Sequence, residues 1–174
     1  MEILAVSGNL EVLVRLVIAL VLGSLVGIER SMVHKPAGMR TYALISMASA
    51  VLIIISELVI KKYAGTAGID PLRMASAIIQ GIGFIGAGLF FLNHQAQQQH
   101  VSGVTTAVGL WVATVMGIIV GYGLYGIALI LAILTLFVFS VMWVLEEKVV
   151  ELADEAFDRR DGSRGERTHD HKVS

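Results

Sequence analysis

The sequence predicts an all-α fold, a polytopic transmembrane helix bundle with five membrane-spanning helices, and three observations carry that expectation. The composition is 56% hydrophobic and only 16% charged, against about 25% charged in a typical soluble domain. Such a chain lacks the polar surface to cover itself in water, and a bilayer is its natural solvent. Five apolar stretches are each long enough to cross about 30 Å of hydrocarbon, which takes roughly 20 helical residues. None of them alternates apolar and polar residues over about 10 positions, as a barrel strand would.

The first span, near Leu10–Ile28, follows an N-terminus (Met1 to Asn9) with no positive region, and reads as a retained helix rather than a cleaved signal peptide. The second, near Met39–Ile60, carries Glu57 and Lys61 at i,i+4, positioned for an ion pair. The third, near Met74–Leu92, opens on Asp70-Pro71, an N-cap and a first helical residue whose missing N–H costs nothing. The fourth and fifth, near Ser102–Val120 and Leu124–Leu145, are joined by Gly121-Tyr122-Gly123, tight enough to force an antiparallel hairpin.

These spans make residues 1–145 the membrane domain. Residues 146–160 read as a cytoplasmic amphipathic helix: Val149, Leu152, Ala153, Ala156 and Phe157 share one face, with Glu147, Glu151, Asp154 and Asp158 on the other side. Packing on the protein's own loops and contact with a partner are both open to it. Residues 161–174 have the composition of a disordered tail. Lys and Arg near the span ends are more numerous on the side of the first loop (Arg30, Lys35, Arg40) and the C-terminus (Lys148, Arg159, Arg160) than on the side of Lys61, Lys62 and Arg73. The positive-inside rule then places the N-terminus out and the C-terminus in.

Several function classes fall away. A net charge of −1 gives no electrostatic footprint for nucleic acid. The absence of cysteine removes disulfides, thiolate metal sites and cysteine nucleophiles. No metalloprotease or nucleophile-elbow motif and no inward Ser/His/Asp set is present, so no enzyme, cofactor or metal is expected. His94 and His100, six apart in a glutamine-rich loop, make a poor metal pair.

Attention therefore falls on polar groups in and beside the spans, which cost about 2.5–3.5 kcal/mol each at a helix centre on insertion scales. Gln80 is the most central. Arg15 and Glu57, nearer the ends, read as interfacial anchors. Three constellations stand out. Glu29 and Arg30 meet Arg40 and Thr41 at one end of the first two helices, where a carboxylate and two guanidiniums can form a network, receive a ligand or simply anchor the chain. Glu29 with Arg40, or Asp70 with Arg73, are expected to act as pairs. Asp70 and Arg73 lead into Gly81, Gly83, Gly86 and Gly88, with Asp70, Arg73, Ala77, Gly81, Phe84 and Gly88 on one face. Ser102, Thr105 and Thr106 begin the fourth helix, where hydroxyls can cap free N–H groups or an anion can bind. Gly23 with Gly27, and Gly117 with Gly121, are further small-xxx-small faces. Glycine faces on three helices exceed what one small bundle needs, so a homo-oligomer, a dimer, is expected.

In this order and spacing, RLVIALVLGSLVGIER, AGMRTYALIS, DPLRMASAIIQGIGFIGAG and VSGVTTAVGLWVATVMGIIVGYGLY resemble the membrane domain of the MgtC/SapB family. The resemblance implies a five-helix protein of the bacterial inner membrane, associated with adaptation to low magnesium and with virulence. In some members it implies inhibition of the F-type ATP synthase, so a membrane complex of that kind is the implied partner beside the lipid bilayer. The alternative is a channel or transporter for Mg²⁺ or another cation. By position, the family's polar set falls on Glu29, Arg30, Arg40, Thr41, Asp70, Arg73, Thr105 and Thr106. The chain departs from the family pattern at Ala77, Gln80 and Ser102, where members often carry Gln, a small residue and Arg. Many members also have a soluble C-terminal domain, which the roughly 29 residues after Leu145 are too few to form.

Overall fold

In the computed structural model, which describes residues 6–63, 70, 72–94, 103–142 and 148–149, the apolar runs are helices and no strand occurs among the described residues. They are α1 (Val6–Met32), α2 (Met39–Lys62), α3 (Arg73–His94), α4 (Val104–Gly121) and α5 (Tyr125–Phe137), followed in sequence by a π-helical turn at Val138–Met142. By length and composition, α1 from Asn9, α2 and α4 can each cross a membrane, while Arg73–Leu89 and Tyr125–Val141 are shorter apolar helices. Large apolar side chains face outward along the bundle, among them Leu13, Leu44, Val108 and Ile130. In water such a surface would aggregate; in lipid it is the solvated face.

Helix ends run past the hydropathy edges because backbone geometry, not apolarity, stops them. α1 continues through Glu29-Arg30-Ser31 to a Schellman turn, in which the His34 N–H reaches the Ser31 carbonyl (3.3 Å) and the Lys35 N–H reaches the Arg30 carbonyl (3.0 Å). His34 takes the left-handed conformation (φ 54) that this turn requires. α4 ends in the same way, with Gly123 at φ 77, its N–H on the Val120 carbonyl (2.9 Å), and the Leu124 N–H on that of Ile119 (3.1 Å). The tight turn expected after α4 is therefore present, but α4 packs on α1, α2 and α3 rather than along α5, so the expected antiparallel hairpin is not seen among the described residues. The fifth span, expected near Leu124–Leu145, is helical from Tyr125 to Met142, with its last described turn π-helical. The Thr135 hydroxyl donates to the Leu131 carbonyl at 2.7 Å, a back-bond of the kind that loosens and bends a helix, and π-helical bonding begins three residues later.

Met1–Leu136 forms one compact unit and Phe137–Ser174 a second. Within the first, α2 and α4 are central. Glycine sets how closely they approach. A Cβ on Gly23 would lie 2.7 Å from the Tyr42 carbonyl oxygen, and one on Gly27 would lie 2.6 Å from the Met39 Cα. A Cβ on Gly117 would strike the Ser46 carbonyl, and one on Gly121 would lie 2.7 Å from the Ile53 Cβ. The order of these contacts makes α1 antiparallel to α2, and α4 parallel to α2. Tyr42, Ile53, Leu110, Met116, Val26 and Val120 fill the space between, each essentially fully buried. On α3 the side toward α4 carries Ala75, Ile82 and Gly86, the last of these 3.5 Å (from an added Cβ) from the Ala107 Cβ. Gly81, Gly83 and Gly88 have nothing within 4 Å. The spare glycine surface therefore lies mainly on α3, with Gly126 of α5 also open, because Gly23, Gly27, Gly117 and Gly121 are already occupied against α2.

Candidate functional site: two charged ends and an open helix face

Charge is concentrated at two levels, marked by Arg15 and Glu29, about 21 Å apart along α1 at 1.5 Å per residue. That separation is less than the roughly 30 Å of hydrocarbon, so both levels need charge pairing. At the Glu29 level, Arg30 is buried to 3% exposure. Its Nε donates to Glu29 Oε2 at 2.7 Å and its Nη2 to Glu29 Oε1 at 3.2 Å, a two-point grip between sequence neighbours. The expected Glu29–Arg40 pair does not form. Arg40 stands exposed on the first turn of α2, whereas Arg30 lies inward on the same turn as Glu29. Thr41 is half-buried beside Arg40.

Ser31, which the sequence reading passed over, joins the two helices here. It donates to the Gly27 carbonyl at 3.1 Å and accepts the Met39 N–H at 2.9 Å, meeting a free donor at the start of α2 where Gly38 supplies no side-chain cap. The Tyr42 hydroxyl, one turn into α2, and the Ser46 hydroxyl, one turn further, are buried without a hydrogen-bond partner among the described residues.

The Arg15 level joins Arg15 and Glu57, which by sequence position alone read as separate anchors. Arg15 Nη1 donates to Glu57 Oε2 at 2.9 Å and to the Gly121 carbonyl at 2.7 Å, while Nη2 bonds Glu11 one turn earlier. A single guanidinium thus ties α1 to α2 and caps the negative end of α4. A Cβ on Gly123 would sit in ordinary contact with the Arg15 guanidinium, 3.7 Å from Cζ, so the glycine is needed there for its φ of 77 and not for space. Lys61 Nζ completes the expected i,i+4 pair with Glu57 Oε1 at 2.8 Å. Tyr122, just past α4, is drawn into the same field. Burial first, and the Asp70 and Glu57 carboxylates after it, push its phenol above the ordinary tyrosine value. The signal available in the sequence was an arginine inside the first span that shared a predicted membrane side with Glu57 and with the α4–α5 turn.

Asp70 starts the third helix as expected, its Oδ1 accepting the Leu72 N–H at 2.9 Å. It is not paired with Arg73, which lies exposed with no ion pair among the described residues. The Oδ1 bond to the Leu72 N–H holds the carboxylate at the helix start, while the Arg73 side chain stands exposed and away from it. Ala77, Gln80, Gly81, Phe84 and Gly88 continue the same exposed face, Phe84 being 84% exposed. At α4 the N-cap is Gly103, at φ 133, with no side-chain cap bond. Thr105 and Thr106 fall inside the first turn, exposed and buried respectively, so the expected hydroxyl capping by these two is not seen; Ser102 lies outside the described residues. So do Pro71, His100, the amphipathic extension save Lys148 and Val149, and the tail. Among the described residues no group of three or more His, Asp or Glu could hold a metal.

Residues 16–148 match the MgtC family. The chain is 36% identical over 133 residues to YhiD of Escherichia coli (strain K12), which is provisionally named a magnesium transporter; the match covers 75% of this chain and 60% of that protein. It is 35% identical over 141 residues to Protein MgtC of Brucella abortus (strain 2308), covering 81% of this chain and 54% of that one. Protein SrpB of Synechococcus elongatus is 33% identical over 131 residues, covering 72% and 71%. No solved structure matches. This chain thus spans little more than half the length of the first two relatives.

Proposed function

The chain belongs to the MgtC family, and from that premise we propose that it is a non-catalytic protein of the bacterial inner membrane that regulates another membrane complex, such as the F-type ATP synthase, during adaptation to low magnesium. In this reading all five helices span, with the N-terminus out and the C-terminus in, so that the Arg15 level is external and the Glu29 level cytoplasmic. The observation that carries the regulatory reading is the filled interior. Gly23, Gly27, Gly117 and Gly121 bring α1 and α4 into contact with the α2 backbone or with Ile53 on it, and large side chains close the rest. Arg15, Glu29, Arg30 and Glu57, the charges set furthest inside the first two helices, are tied up in ion pairs. Such a bundle supports recognition by its surface better than conduction through its middle.

Transport of Mg²⁺ is the second reading. It is favoured by the name of the Escherichia coli relative and by Asp70 and Glu57 acting on one phenol at the same end, where an oxygen-rich entry could gather a hydrated cation. One reconstitution separates the two. The purified chain is placed in sealed vesicles with a Mg²⁺-sensitive dye inside, alone and together with purified ATP synthase. Regulation predicts no dye response above empty vesicles and reduced ATP-driven proton pumping. A Mg²⁺ flux abolished by Asp70→Ala or Glu57→Gln, with folding intact, would replace it with transport.

A further inference from the structure

We infer that the exposed face of α3 is the contact surface for a second copy of this chain, the two α3 helices lying side by side and parallel about a two-fold axis normal to the membrane. The observation is that every unsatisfied feature of this face finds its complement on the same face. Phe84 projects at 84% exposure, and one turn to either side of it Gly81 and Gly88 leave open space, with nothing within 4 Å of where a Cβ would be. A knob flanked by its own holes packs against an identical helix, the phenyl ring of each entering the glycine gap of the other. Gln80 lies at the middle of the helix with its side chain exposed and no hydrogen-bond partner among the described residues. An amide is both donor and acceptor, and a parallel two-fold pair sets each residue against its own equivalent, so two Gln80 side chains satisfy each other where lipid offers nothing. Near the start of the helix, Asp70 and Arg73 carry opposite charges three residues apart on this face and form no ion pair with each other. Across the axis, a long side chain that leans toward the helix start brings each Arg73 within reach of the other copy's Asp70, of which only Oδ1 is engaged by the backbone.

Lipid would cover Phe84 but leave Gln80 unpaired, and an unrelated helix would have to match knob, hole, amide and charge order at once. A second copy matches them by symmetry, and that selects the occupant. The opposite side of α3 is used by Ala75, Ile82 and Gly86 within the chain, so the contact adds to the bundle without reopening it. This association goes beyond the regulatory reading and does not depend on it.

The chain has no cysteine, which makes crosslinking clean. In membranes containing the full chain, Ala77→Cys should give a disulfide-linked dimer under mild oxidant, because the bond needs Cα atoms within about 7 Å. Ile130→Cys, 59% exposed on α5, is the control and should give little. In the Ala77→Cys background, Gln80→Leu should weaken self-association about tenfold, the order expected for losing an interhelical hydrogen-bonded pair. Gly83→Ala, off this face, should leave it unchanged. Equal linkage at the two cysteine positions, no linked dimer from Ala77→Cys, or linkage of that variant to a different protein would each overturn the proposal.

Discussion

Arg15 donates to Glu11 on its own helix, to Glu57 on α2 and to the last-turn carbonyl of Gly121 on α4, so its loss strands charge on two helices and frees a helix end on a third. Its side chain is 13% exposed and that of Glu57 32%, which places the pair between the surface and buried regimes. Arg15→Ala should therefore lower stability by about 2 kcal/mol, the range for charged hydrogen bonds. Lys61 pairs with the same carboxylate from a 70% exposed position, and Lys61→Ala should stay below about 1 kcal/mol. Thermal denaturation of the two variants in one detergent checks the order; equal losses would reduce Arg15 to an anchor. The sequence reveals the charged residues and their membrane side, but not their partners. Glu57 lies 42 positions from Arg15 and Gly121 lies 106 away, distances over which hydropathy carries no information about who meets whom. At the other level the expected partner of Glu29 is Arg40, but the buried Arg30 takes that place, a difference of burial that sequence position does not carry.

At the scale of elements, the existence and order of the five helices were legible because runs of about 20 apolar residues have no other stable form in lipid. Their ends were less so, since a Schellman turn is written in backbone angles at His34 and Gly123 rather than in hydropathy. Glycine content was visible too, but not how the glycines divide. Gly27 sits against the α2 backbone, and Gly27→Leu should cost about 1–3 kcal/mol through overpacking or push α1 away from α2. Gly83 faces open space, and Gly83→Ala should leave the fold intact and stabilise α3 by up to about 1 kcal/mol through helix propensity. Melting temperatures of both variants test this division. A stable Gly27→Leu protein would mean that the α1–α2 approach is looser than these contacts imply.

For the whole molecule, the alternation of helix directions puts the α1–α2 turn and the α4–α5 turn at opposite levels, and the proposed orientation makes the first internal. Lys35→Cys and Leu124→Cys, introduced singly into the cysteine-free chain, can be probed with a thiol reagent that does not cross membranes. Leu124→Cys should label in intact cells and Lys35→Cys only after lysis; the reverse pattern inverts the topology. The joint made by Arg15 also bears on how the protein is built. The glycine seam and the Arg15–Glu57 bond need only α1 and α2, so the first hairpin carries its own carboxylate partner for Arg15. The Gly121 carbonyl arrives only when α4 has been made, and its bond to Arg15 is then a late latch. A shortened chain that ends after α2 should therefore still keep Arg15 paired, lacking only the bond to α4.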